Sequence, residues 1–217
     1  MTSEDVKRVL HLQPHPREGG WYKRTWEAAE PLPPEAFLDR RYAGPRPTST
    51  AIYYLLEADA FSPMHVLKSD EIFHHYLGDA VEMLQLLPDG SSQRVILGSE
   101  IASGQRPQWV VRRGVWQGCR LLREGSGGER QNSGLLGRGS GLSPGGSRLL
   151  PGSSGLASQG SGLAPADSGL APSLGWALLG CTVSPGFEFE DYEEARAEDL
   201  LARWPQPASL IRALTHG

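Results

Sequence analysis

Within the fifteen residues from His65 to Asp79 the chain places His65, Asp70, Glu71, His74, His75 and Asp79, its densest group of titratable side chains. Imidazole and carboxylate side by side can move a proton near neutral pH or hold a metal ion. Successive side chains of a strand face opposite sides, so His74 and His75 cannot both enter one pocket, and only one of them can join His65 there. His65 and Glu71 lie six apart and flank a turn through Lys68, Ser69 and Asp70. Strands running back to back from that turn would bring the two groups together, either for proton transfer or as a buried hydrogen-bonded clamp between strands. Trp116 and Gln117 follow Gly114 and could line a pocket mouth with an indole and an amide, while Tyr53 could supply a phenol as acid.

These residues sit on segments with strand character. From Gly19 to Leu122 the stretches GGWYKRTWE, TSTAIYYLL, SPMHVL, EIFHHYL, AVEMLQLL, SQRVIL, QWVVR and VWQGCRLL are rich in β-branched and aromatic residues and are separated by turn chemistry such as Gly78-Asp79 and Pro88-Asp89-Gly90. Eight short strands predict an all-β sandwich or barrel. Ahead of them Ser3 is positioned to cap a short helix over residues 4 to 11, with Glu4 and Asp5 in its first turn. Composition then changes after Glu124. Between residues 125 and 175 serine and leucine recur every seven positions, from Ser133 to Ser168 and from Leu135 to Leu170, amid glycine and with no aromatic residue. One apolar seam residue per heptad, with Gly and Pro at interior positions, does not make a coiled coil, and the segment is expected to be a disordered low-complexity insert. The chain therefore divides into 1–124, the first part of the barrel, 125–175, the insert, and 176–217, a final strand and a helical segment. The strand WALLGCTV is expected to pair with VWQGCRLL across the looped-out insert, making Cys119 and Cys181 sheet neighbours. EEARAEDLLARWP and ASLIRAL have helical spacing and should pack outside the barrel.

Composition narrows the function. With 39% hydrophobic and 21% charged residues the chain can bury one core, and a formal net charge of −4 offers no field for a phosphate backbone, so nucleic acid is not an expected partner. Neither a secretory signal nor an 18-residue apolar run is present, which predicts a cytoplasmic protein with no membrane partner. Two cysteines far apart form neither a disulfide framework nor a zinc pattern. No nucleophile elbow lies outside the glycine-rich insert, and no P-loop or credible dinucleotide fingerprint occurs.

The blocks PHPREGGWY, TAIYYLL, HVLKSDEIFHHYLGD, GVWQG and GCTVSPGFEFEDYE together resemble the DUF985, or Cupin-5, family of the cupin superfamily. The resemblance spans nearly everything outside the repeat. It implies a double-stranded β-helix, the jelly-roll barrel, with short terminal helices, a fold similar to that of sugar-nucleotide epimerases of the RmlC-like kind, and a homodimer. His65 and Glu71 match the first cupin motif. Leu67 and Gln117 stand where metal-binding cupins usually have histidines, so no metal and no cofactor are expected. An aromatic residue is more usual at His75, which makes His74 the pocket candidate of the two. The resulting expectation is a barrel that binds a small molecule. His65, Glu71 and His74 would be its catalytic residues and Tyr53, Trp116 and Gln117 its ligand contacts. The reaction would be isomerase-like or epimerase-like on a polar, sugar-derived substrate; the alternative is a non-catalytic metabolite-binding module.

Overall fold

In the computed structural model, residues 1–122 and 173–216 are described. Helix α1 spans Ser3–Leu10 and is capped by Thr2, one residue earlier than expected, in a reciprocal capping box with Asp5. The strands follow as β1 (Gln13–Pro14), β2 (Trp21–Glu27), β3 (Pro31–Leu32), β4 (Arg46–Pro47), β5 (Thr50–Glu57), β6 (Phe61–Leu67), β7 (Asp70–Gly78), β8 (Val81–Leu86), β9 (Ser92–Leu97), β10 (Gln108–Val111), β11 (Trp116–Leu121), β12 (Trp176–Ser184) and β13 (Tyr192–Glu194). Helices α2 (Ala197–Leu201) and α3 (Ala208–Ala213) end the chain. Each of the eight strands read from the first part of the sequence is present. The expectation for residues 125–175 lies, apart from Ser173 to Gly175, outside the described residues.

Two antiparallel sheets face each other and form the all-β jelly-roll barrel. One has the order β1-β2-β5-β12-β7-β10 and the other β13-β6-β11-β8-β9. The pairing expected of β12 is corrected here: it lies between β5 and β7, whereas β11 lies between β6 and β8 in the opposite sheet. Cys119 and Cys181 are therefore not sheet neighbours; both point into the shared core from facing sheets, as free thiols.

The inner faces interdigitate through Tyr54, Leu56, Phe73, Met83, Leu97, Leu121 and Leu179, all buried. Strand alternation sends the intervening residues outward, where they need a second cover. On the six-stranded sheet α1 supplies it, packing Val6 against Leu55, Trp176 and Leu178. On the five-stranded sheet α2 and α3 press Leu200, Ile211 and Leu214 onto Met64, Leu84 and Leu86. The loop ahead of β2 closes one barrel end through Gly19 and Gly20. Gly20 has φ of +82°, and a side chain there would strike the Leu55 carbonyl. A Cβ on Gly19 would lie 2.7 Å from the Phe61 carbonyl oxygen. Only glycine allows this close a backbone approach with that dihedral.

Candidate functional site

The short turn after Leu67 carries the chain from one sheet to the other, so His65 on β6 and Glu71 on β7 confront each other across the barrel. A bulge aims His65. Gln117 on β11 pairs with His65 and Cys119 pairs with Ser62, so three steps along β6 match two along β11. That extra residue turns both Ser62 and His65 to the inner face, a result that strict alternation forbids. Gln117 shares this inward register with Cys119 and Leu121, while its neighbour Trp116 faces the other way.

Hydrogen bonding fixes the protons. His65 Nδ1 lies 2.8 Å from the Pro63 carbonyl, which can only accept, so Nδ1 carries the hydrogen and Nε2 presents its lone pair. Gln117 Nε2 is 3.3 Å from that Nε2 and 2.5 Å from Glu71 Oε2. One amide group thus donates to imidazole and carboxylate together. The orienting partner of His65 is the Pro63 carbonyl, and Glu71 joins His65 only through Gln117. All three residues are buried, at 3%, 7% and 1% exposure for His65, Glu71 and Gln117. Burial pushes the Glu71 carboxyl up to about 7, aided by Glu18 and opposed by His65 and the hydrogen bonds from Gln117 and Cys181. Two polar atoms beside this centre have no partner among the described residues: Gln117 Oε1 and the Tyr192 hydroxyl. The Tyr192 ring stacks on His65 at 4.8 Å and 22°. Burial holds the phenol well above its ordinary value and therefore neutral.

The end of the barrel above this centre is closed by the loop after β1 and by the turn before β13. In the loop, His15 Nδ1 accepts from the Glu18 amide at 2.8 Å and the Arg17 amide at 3.4 Å, which leaves the Nε2 hydrogen of neutral His15 on the side of Glu18, 3.9 Å away. Ser62 donates to Glu18 Oε2 at 2.5 Å. The His15 ring meets Tyr22, Tyr54 and Phe189 edge to face. The turn is anchored by a buried ion pair, Arg46 Nε to Asp191 Oδ2 at 2.6 Å, with Glu190 also on Arg46. Tyr192 also lines a surface cleft of about 570 Å³ with Asp39, Arg41, Lys68 and Gly114, so one side chain stands at both the cleft and the buried centre. Sequence reasoning missed His15, Glu18 and Tyr192. The available signal was the company that PHPREGGWY and FEFEDYE keep with a glycine pair and aromatic residues.

Three expected contacts are corrected. His74 has the opposite facing to Glu71 and Phe73: it lies outside the barrel, paired with Gly180 and stacked on Tyr76 at 6.1 Å. Tyr53 faces the same exterior and meets Tyr76 edge to face. Trp116 packs under the terminal helices against the Met64 and Leu84 cluster. His75, expected to point outward, has the inward register opposite Leu179, and its Nε2 lies 3.0 Å from the Asp79 carbonyl.

The centre does not suit a transition metal. His65 and Glu71 converge on amide hydrogens of Gln117 where a cation would need electron pairs, and Leu67 packs inward with Val183 and Tyr192. Among the described residues no three His, Cys, Asp or Glu side chains are grouped to hold an ion. Nor is any described helix long and apolar enough to cross a membrane.

Residues 4–195 match the family model described as Cupin superfamily (DUF985). A hypothetical protein from Leishmania major has a similar structure, with a TM-score of 0.70 and 23% identity, and the match covers 100% of both chains. A protein from Shewanella oneidensis gives a TM-score of 0.67 and 24% identity over 100% of this chain and 98% of its own. Both likenesses are to the fold. No curated protein matches.

Proposed function

The chain belongs to the DUF985 family of the cupin superfamily, and from that premise we propose that it binds a small polar, sugar-derived molecule and moves a proton on it, as an isomerase or epimerase does. The observation that carries this reading is the Gln117 amide nitrogen, 3.3 Å from His65 Nε2 and 2.5 Å from Glu71 Oε2 inside a buried centre. It holds an imidazole beside a carboxyl whose value of about 7 suits both gain and loss of a proton at neutral pH. Ligand hydroxyls would satisfy Gln117 Oε1 and the Tyr192 hydroxyl. His65 Nε2 would take the proton from a carbon next to a carbonyl, the electron pair moving onto the carbonyl oxygen. Protonated Glu71 would return a proton to that carbon, and Tyr192 would donate a hydrogen bond to the oxygen where charge develops. The two groups would reset against solvent once product leaves.

A second reading has its own support. His65 Nε2 and Glu71 Oε2, the atoms that would exchange a proton with a substrate, are both turned toward Gln117, as they would be in a non-catalytic metabolite-binding module. Incubation with a mixture of hexoses, hexose phosphates and uronic acids in D2O separates the two. Catalysis predicts carbon-bound deuterium in at least one compound, falling by roughly a hundredfold in His65→Ala and in Glu71→Gln. A compound retained by the protein in native mass spectrometry without deuterium uptake supports the binding module. Deuterium uptake undiminished in His65→Ala removes the catalytic role.

We also propose a homodimer built on the outer face of the six-stranded sheet. Pairing places Trp26, Ala51, Thr182, Ile72 and Val110 in one row across that face, and Trp26 and Val110 are 57% and 40% exposed. Light scattering should give twice the chain mass for wild type and the chain mass for Val110→Asp; a monomeric wild type rejects the interface.

A further inference from the structure

Resting on the proposed ligand site, we infer that its ligand carries a terminal anionic group, a phosphate or carboxylate, and that Arg17 recognises it. Arg17 is exposed, and its guanidinium lies 5.6 Å from the Phe189 ring centroid and 6.0 Å from that of Tyr192. Among the described residues it makes no ion pair. Its backbone is held in place because His15 Nδ1 accepts from both the Arg17 and Glu18 amides, so one loop sends Glu18 to Ser62 and Arg17 to the aromatic pair.

What lies beneath points to a ligand. The Tyr192 hydroxyl and Gln117 Oε1 are unpartnered polar atoms on residues 8% and 1% exposed, and the Tyr192 ring that Arg17 approaches is the one stacked on His65. Leaving two such buried groups unpaired is costly, and a hydroxylated ligand body would offset that cost. An anionic head at Arg17 and hydroxyls on Tyr192 and Gln117 therefore describe one molecule lying across one aromatic ring.

The neighbouring acids do not cancel this charge. Glu190 is on Arg46, Glu188 lies 3.9 Å from Arg24, and Glu194 lies 3.8 Å from His216. Glu18 accepts from Ser62, and Glu193 is exposed on β13. Arg24 is itself engaged, with Glu27 at 2.6 Å and the Phe187 carbonyl at 3.1 Å. Arg17, which makes no ion pair among the described residues, has its guanidinium donors left for a ligand oxygen, and a charge-assisted bidentate contact is the strongest hydrogen bonding that it can offer.

Calorimetric titration with glucose 1-phosphate, glucuronate and glucose tests the inference. Wild type should bind at least one of the two anions ten or more times more tightly than glucose, and which of them binds tells phosphate from carboxylate. Arg17→Ala should lose that tenfold preference while its affinity for glucose is unchanged, Arg17→Lys should keep part of it, and Tyr192→Phe should weaken the anion and glucose alike. Anion and glucose binding of equal strength, an undiminished preference in Arg17→Ala, or no saturable response to either anion up to tens of millimolar overturns the inference. Because Arg17 is exposed and outside the proton-transfer centre, failure here leaves the deuterium-exchange result for His65 and Glu71 untouched.

Discussion

Replacing Glu71 by glutamine is expected to flatten the pH dependence of stability between about pH 4.5 and pH 7, the interval between its ordinary value and its value in the fold. The native carboxyl binds its proton more tightly than the unfolded one. Its favourable contribution is therefore complete below the unfolded value and is lost as pH rises through the folded value. A displacement from 4.5 to about 7 corresponds to about 3 kcal/mol across that window. Glutamine does not titrate and keeps an oxygen able to accept from Gln117. The stability difference, Glu71→Gln minus wild type, should thus grow by about 3 kcal/mol from pH 4.5 to pH 8 in urea denaturation. Taking the difference removes the acid sensitivity of Asp39 and Asp70, whose values arginine and backbone hydrogen bonds hold low in both proteins. Parallel curves for the two proteins would mean that Glu71 is solvated and ionised, and the proton-transfer reading would lose its acid. If the prediction holds, the same substitution that stabilises the fold at pH 8 abolishes proton return, the expected trade between stability and a functional buried acid.

The strands were legible because each carries its own record, period-two alternation bounded by Gly, Pro and Asp. Their order was not. Expecting β11 to pair with β12 follows from treating the insert as an elongated hairpin loop, but the chain crosses to the other sheet at that point, and nothing local marks a crossing. Legibility of the site followed the same division. His65, Glu71 and Gln117 were found by residue type, and the turn at 68 and 69 does set the first two against each other. The bulge that aims His65 depends on the pairing of β6 with β11 and leaves no trace in either segment alone. Two misplacements were avoidable from alternation itself. Counted from Glu71, His75 shares the inward side and His74 does not, and with Gln117 inward Trp116 must face out. Tyr53 was harder, since β5 is central in its sheet and has apolar residues on both faces, so its phase is set only by what covers each side. His15 and Glu18 come from an irregular loop and Tyr192 from the three-residue strand β13, too short to show a period, and their convergence exists only once the barrel end is closed.

Gln117 carries the second large effect, because among the described residues it is the contact that joins the two titratable residues at the centre. Leucine fills nearly the same volume, so Gln117→Leu isolates the loss of hydrogen bonding from any cavity. Glu71 Oε2 and His65 Nε2 would both lose their donor at 7% and 3% exposure. Stranding two buried acceptors costs about 2 to 4 kcal/mol, after allowance for the unpartnered Gln117 Oε1 that the same change removes. The penalty must depend on pH. The amide favours the ionised carboxylate, so without it the Glu71 value rises beyond about 7, and the destabilisation is larger at pH 8 than at pH 5, where the carboxyl is already neutral. Combining Gln117→Leu with Glu71→Gln should recover more than 1 kcal/mol relative to the sum of the single changes at pH 8, since the stranded charge is then gone. Additive effects, or a Gln117→Leu protein as stable as wild type at both pH values, would show that the amide does not couple imidazole to carboxyl. The barrel would then hold two independent buried groups in place of one proton-transfer unit, and the binding-module reading would be the one left standing.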